Sequence, residues 1–166
     1  AITMTAGNVQ EILQDFSKSR RKRKYKCVSN NWLIYFLLKT INKYKIKKIY
    51  AYNIAFDKTC LKHLFNEKFE ELQNLVNFID IVPIILHTKL LTEKYVNFCI
   101  KNEFFTATGK ISTKAENVYR YLFNDITFEE EHTGLNDVLI EYAILLKAFE
   151  THKKITYKPC QAWNVL

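Results

Sequence analysis

Asp57 closes the stretch AYNIAFD, residues 51–57, and His132 and Asp137 stand five residues apart in HTGLND, residues 132–137. Carboxylates are the oxygen donors that hard cations such as Mg²⁺ prefer. An imidazole beside such a cation is suited to take a proton from a water that the cation has acidified. An Asp at a strand end and a His–Asp pair leading into a helix can converge on one site of this kind. Each residue also has a plainer use. An Asp after a strand serves as a turn or cap residue, and a His before a helix as a neighbour of the cap. Asp80, in an apolar stretch, suits a turn or a supporting role, and His63, His87 and His152 are expected at the surface.

Elements of two kinds must position these residues. Residues 7–17 carry Val9, Ile12, Leu13 and Phe16 on one helical face. SNNWLIYFLLKTINKY follows as a second helix, capped by Ser29 or Asn30, with Leu33, Phe36, Leu37, Ile41 and Tyr44 recurring at helical spacing. Lys45–Tyr52 reads as a strand, and 58–72 as an amphipathic helix. LVNFIDIVPI, residues 75–84, reads as a buried strand ended by Pro83. Helices are expected near 91–102 and 113–123, the second opening with Thr113 and Glu116 at capping-box spacing. The last helix is expected over 134–151, with Leu135, Val138, Leu139, Tyr142, Leu146 and Phe149 inward. Strands alternating with helices predict an α/β fold with parallel pairing. In such sheets functional side chains gather at the carboxyl ends of strands. Asp57 is expected just past one such end, with Phe56 turned into the core and the Asn53 side chain bonded to the turn backbone.

The rest of the chain narrows the function classes. Its 166 residues are enough for one domain with a real core, and 48% are apolar. No stretch approaches the roughly 20 apolar residues of a membrane span. The opening AITMTAGNVQEILQDF lacks the basic and apolar regions of a signal peptide. Cys27, Cys60, Cys99 and Cys160 are scattered, with no C-x-x-C pair, so a structural zinc site is not expected and reduced, buried thiols are. An intracellular, cytoplasmic protein is the expectation. The net charge of +8 favours a polyanionic partner such as nucleic acid. KSRRKRKYK, residues 18–26, holds seven of the 25 basic residues and one tyrosine. Two readings of that run stay open: a solvated loop, or a phosphate-contacting loop using Arg20, Arg21 and Arg23.

AYNIAFD resembles the second motif of the DEDDh 3′–5′ exonucleases, the family that includes the proofreading subunit of bacterial DNA polymerase III. HTGLNDVLIEYAIL resembles their third motif, H-x-x-x-x-D running into a helix, and ISTKAENVYRYLFND is similar to exonucleases of phages and low-GC bacteria. The resemblance covers about 46–152. It implies a ribonuclease H-like α/β fold and two-metal hydrolysis, with Mg²⁺ or Mn²⁺, of the terminal phosphodiester at the 3′ end of single-stranded DNA or RNA. It assigns Asp57 and Asp137 to the metal, His132 to the general base, and Asn53 and Phe56 to substrate positioning. A polymerase or another replication or repair protein is the implied protein partner, and no membrane is involved.

The family's first motif, D-x-E on the first strand, supplies two of its four acidic ligands, and no D-x-E precedes Asp57. Glu11 and Asp15 lie in a helical pattern and in the opposite order. The expectation is therefore a single exonuclease-like domain, residues 1–166, without the family's N-terminal β-meander and with weak or absent metal. Two function classes follow: a 3′–5′ exonuclease seen without its first motif, or a non-catalytic nucleic-acid-binding or partner-binding module derived from one.

Overall fold

The structure is a computed structural model that describes residues 28–130, 133–151 and 153–157. In chain order its elements are α1 (Asn30–Tyr44), β1 (Lys48–Ala51), α2 (Ile54–Phe65), a 3₁₀ turn (Asn66–Lys68) and α3 (Phe69–Leu75). They continue with β2 (Asn77–Asp80), α4 (Ile81–Ile85), a π-helical turn (Leu86–Leu90), α5 (Glu93–Lys101), α6 (Ala115–Phe123) and α7 (Gly134–Phe149). The helix expected over 7–17 lies outside the described residues. The described residues divide into two units: 28–47 with 64–76, and 48–63 with those from 77 onward.

In the first unit, α1 starts where its cap predicts. Ser29 is extended, and its hydroxyl accepts the Trp32 N–H at 3.2 Å. The helix ends at Lys45, which takes the left-handed conformation (φ 50°) and donates its N–H to the carbonyls of Ile41 and Asn42. That turn consumes the residues expected to begin the strand, so β1 opens only at Lys48. The buried residues of this unit are Ile41, Phe65, Phe69, Leu72 and Val76. Of the residues at helical spacing, Ile41 is buried, whereas Leu33, Phe36 and Tyr44 are exposed. Apolar residues surround α1 on all sides, so their spacing alone could not say which side packs. The single helix expected over 58–72 is broken, because Asn66 turns to φ 49° and separates α2 from α3.

In the second unit, β1 and β2 pair in parallel, with Tyr50 opposite Ile79 and Ala51 opposite Asp80. Among the described residues this is a two-stranded sheet in a mostly helical, mixed α/β unit. β2 stops at Asp80, short of the expected 84. The Asp80 carboxylate accepts the Val82 N–H at 2.9 Å and starts α4. Pro83 falls in the first turn of α4, where its missing N–H leaves no bond unmade. A π-helical turn follows, in which the Thr88 hydroxyl donates to the Ile84 carbonyl at 2.8 Å.

The capping box expected at Thr113–Glu116 does not form. Lys114 is the cap residue without a side-chain bond, and Glu116 pairs instead with Arg120 at 2.9 Å. α7 buries Ile140, Ile144, Leu145 and Ala148. Of the face expected inward, Val138, Leu139, Leu146 and Phe149 are exposed, so α7 is rotated from that expectation. The core joins Ile81, Ile84, Ile85, Tyr95, Cys99 and Val118 to the buried side of α7, with Tyr50, Tyr52 and Ile79 of the sheet region packed against it. Cys99 is buried as expected, whereas Cys60 is exposed on α2. No helix among the described residues is long and apolar enough to cross a membrane.

Candidate functional site

Because the two strands are parallel, both finish at the same end of the sheet, and the chain must turn there twice. At the first turn Asn53 adopts φ 60°, a left-handed conformation that Asn tolerates better than most residues. Its own backbone N–H donates to Asp80 Oδ1 at 3.1 Å, and its carbonyl accepts the Phe56 N–H at 3.1 Å. The bond expected from the Asn53 side chain is thus made by its backbone. Asp80 Oδ1 serves both this turn and the start of α4, which accounts for an acid inside an apolar run. Phe56, expected in the core, is 70% exposed, since it sits on the solvent side of the first turn of α2.

Asp57 belongs to that same first turn, three residues past the start of α2 rather than in a loop. Asp137 occupies the first turn of α7. Both carboxylates therefore stand where a helix end favours negative charge. One oxygen of Asp137, Oδ1, is buried and has no hydrogen-bond partner among the described residues. A buried carboxylate oxygen left unbonded is costly.

Glu141, one helical turn beyond Asp137, was not foreseen. Its Oε2 accepts the Tyr52 N–H at 3.1 Å, which joins α7 to the end of β1. Burial pushes the Glu141 carboxyl up to about 7. The Tyr52 N–H opposes that rise, and the negative charges of Asp57, Asp137 and Glu130 add to it. Asp57 and Asp137, 80 positions apart in sequence, thus act on one carboxyl. The signal was available, because acids at i and i+4 share a helix face. Tyr52 is held as well: its hydroxyl donates to the Thr113 carbonyl at 2.5 Å, and burial raises its phenol above the usual range, with Asp80 and Glu141 adding to the shift.

The structure therefore brings Asp57 and Asp137 to a common neighbour and sets Asn53 at the adjoining turn. His132, Arg20, Arg21 and Arg23 lie outside the described residues, as does His152. His63 is exposed and His87 half-buried. Among the described residues, no group of three or more His, Cys, Asp or Glu side chains is placed to hold a metal ion. The orphaned Asp137 oxygen is a fitting donor for a cation, but Asp80 and Glu141 each spend an oxygen on backbone amides. The described donors do not complete a two-cation centre. No protein-family model matches the chain, and neither the curated proteins nor the solved structures contain a match.

Proposed function

We propose that this chain carries part of the acidic centre of a metal-dependent 3′–5′ exonuclease acting on single-stranded nucleic acid. The observation that supports it is that Asp57 and Asp137 both act on Glu141, a carboxyl that accepts the Tyr52 N–H at the end of β1. The ribonuclease H-like fold belongs to the same proposal, with β1 and β2 as two of its strands. Mg²⁺ or Mn²⁺, when bound, would neutralise charge at the scissile phosphate. Asp57 and Asp137 are the residues to hold it. Asn53 shapes the turn that presents α2, and exposed Phe56 offers a ring to a nucleotide. His132 is the proposed general base, and Arg20, Arg21 and Arg23 are proposed phosphate contacts. A polymerase or another replication or repair protein is the proposed protein partner.

One observation favours a second reading, a non-catalytic nucleic-acid-binding module: the described donors stop short of a full metal site. A 3′-labelled single strand incubated with Mg²⁺ or Mn²⁺ separates the two. Slow, cation-dependent shortening from the 3′ end, lost in Asp57→Ala and in Asp137→Ala, supports the exonuclease. Binding of the strand with no shortening at any cation concentration moves the chain to the second reading.

A further inference from the structure

α1 has a composition and a facing that the acidic site does not use. Within its unit, residues 28–47 hold four lysines and no Asp or Glu. On the 3.6-residue period, Trp32, Tyr35, Phe36, Lys39 and Lys43 fall in one stripe roughly 100° wide. Ile41, the buried residue of α1, lies on the opposite side of the helix. The stripe is open: Trp32 is 49%, Tyr35 60% and Phe36 46% exposed. The Trp32 and Phe36 rings lie nearly parallel, 7° apart in plane, with centroids 5.1 Å apart. Lys39 Nζ stands 5.5 Å from the Tyr35 ring centre. Lys43 Nζ stands 4.8 Å from that of Tyr44.

We propose that this face of α1 is a single-stranded nucleic-acid platform, on which bases stack against Trp32, Tyr35 and Phe36 while Lys39 and Lys43 meet the phosphates. Open rings interleaved with cations are what non-specific single-strand binding requires, because every base has a π-face and every linkage a charge. Charge complementarity favours this partner, as no acid on the segment opposes a phosphate backbone. A membrane-surface helix places its lysines on the face opposite its apolar side. Here the lysines share the aromatic stripe. The inference rests on the exonuclease reading only for the kind of strand, and binding by α1 requires no hydrolysis.

The test uses the full chain in chelator with Trp163→Phe, so that Trp32 is the sole tryptophan. Titration with oligothymidylate should quench Trp32 fluorescence. A labelled oligonucleotide should then show affinity weakened about 5- to 100-fold by Trp32→Ala and largely restored by Trp32→Phe. Lys39→Gln with Lys43→Gln, which leaves the rings in place, should reduce the slope of log affinity against log salt by about 1.4. Three results would overturn the proposal. The first is no quenching, or affinity and salt slope unchanged in all the variants. The second is Trp32-dependent binding to phosphatidylserine vesicles without oligonucleotide binding. The third is Trp32-dependent self-association in sedimentation that oligonucleotide does not relieve. Since Asp57→Ala should abolish shortening and leave the Trp32 quench intact, failure of the platform and failure of the exonuclease reading are separable.

Discussion

The Tyr52 N–H donates to Glu141 Oε2 at 3.1 Å across 89 positions of sequence, fixing the second turn of α7 to the end of β1. The bond makes Glu141 a structural carboxyl in an acidic neighbourhood, and its titration should be visible in stability. Its pKa is raised from an ordinary 4.5 to about 7. Between those values the folded chain holds a proton that the unfolded chain has released, so stability falls as pH rises through this window and stays low above it.

Glu141→Gln keeps an oxygen for the Tyr52 N–H and removes the charge. Melts in chelator should show the variant level with the parent near pH 4.5 and more stable at pH 8. With solvent screening at this half-buried carboxyl allowed for, the gain is about 1 kcal/mol, or roughly 2–4 °C. Identical melting curves across the pH range would show that neither burial nor the neighbouring acids raise this group in the folded chain.

Two tyrosines pin the segment ahead of α6. Tyr95, wholly buried, donates its hydroxyl to the Ser112 carbonyl at 2.6 Å, and half-buried Tyr52 does the same to Thr113. Tyr95→Phe keeps the ring, which meets Tyr121 edge-on at 4.9 Å, and strips the carbonyl of that donor. A buried acceptor left unpaired costs about 1–3 kcal/mol. Urea unfolding should show a lower midpoint with an unchanged slope. Tyr52→Phe should cost less, because Thr113 is only partly buried where Ser112 is wholly buried, and equal losses would contradict that ordering.

Asp80 gives a sharper contrast. Its Oδ1 accepts both the Asn53 and the Val82 N–H groups, so one oxygen holds a turn and a helix start. Asp80→Asn retains the oxygen and should stay within about 0.5 kcal/mol of the parent, since Asn caps as well as Asp. Asp80→Ala should lose about 1–2 kcal/mol in the same unfolding experiment. Equal stability of the Ala and Asn variants would mean that the cap contributes nothing.

These residues show where sequence reasoning reached and where it stopped. The start of α1 was legible because Ser29 is a local signal, resolved within three residues. The parallel pairing was legible from strand–helix–strand order. The end of β2 was not. An apolar run reads alike as a buried strand or a buried helix, and the strand expected to run through Asp80 to Pro83 gives way at Asp80 to a helix. Which side of α1 or α7 faces inward was equally hidden, since both helices carry apolar residues beyond one stripe. At the site, Asp57 and Asp137 were visible by type and spacing. Glu141 became visible only when the fold set it against Tyr52.

The orphaned oxygen of Asp137 leads to the last prediction. Among the described residues Asp137 Oδ1 is buried without a partner, and Asp57 is a second acid acting on the same neighbour. Two carboxylates offset a divalent charge only in part, so a single ion should bind with roughly millimolar affinity. A tenfold excess of Mn²⁺ over its dissociation constant then stabilises the fold by about 1.4 kcal/mol, raising the melting temperature by roughly 3–5 °C. Asp137→Asn and Asp57→Asn should each abolish that increment against a control of matched ionic strength. Asp80→Asn should keep it, because Asp80 is not among the acids acting on Glu141 and its Oδ1 is engaged by two backbone amides. An increment that survives in both the Asp57 and Asp137 variants would place the cation elsewhere, and the pair would then be two helix-end acids with no shared ligand.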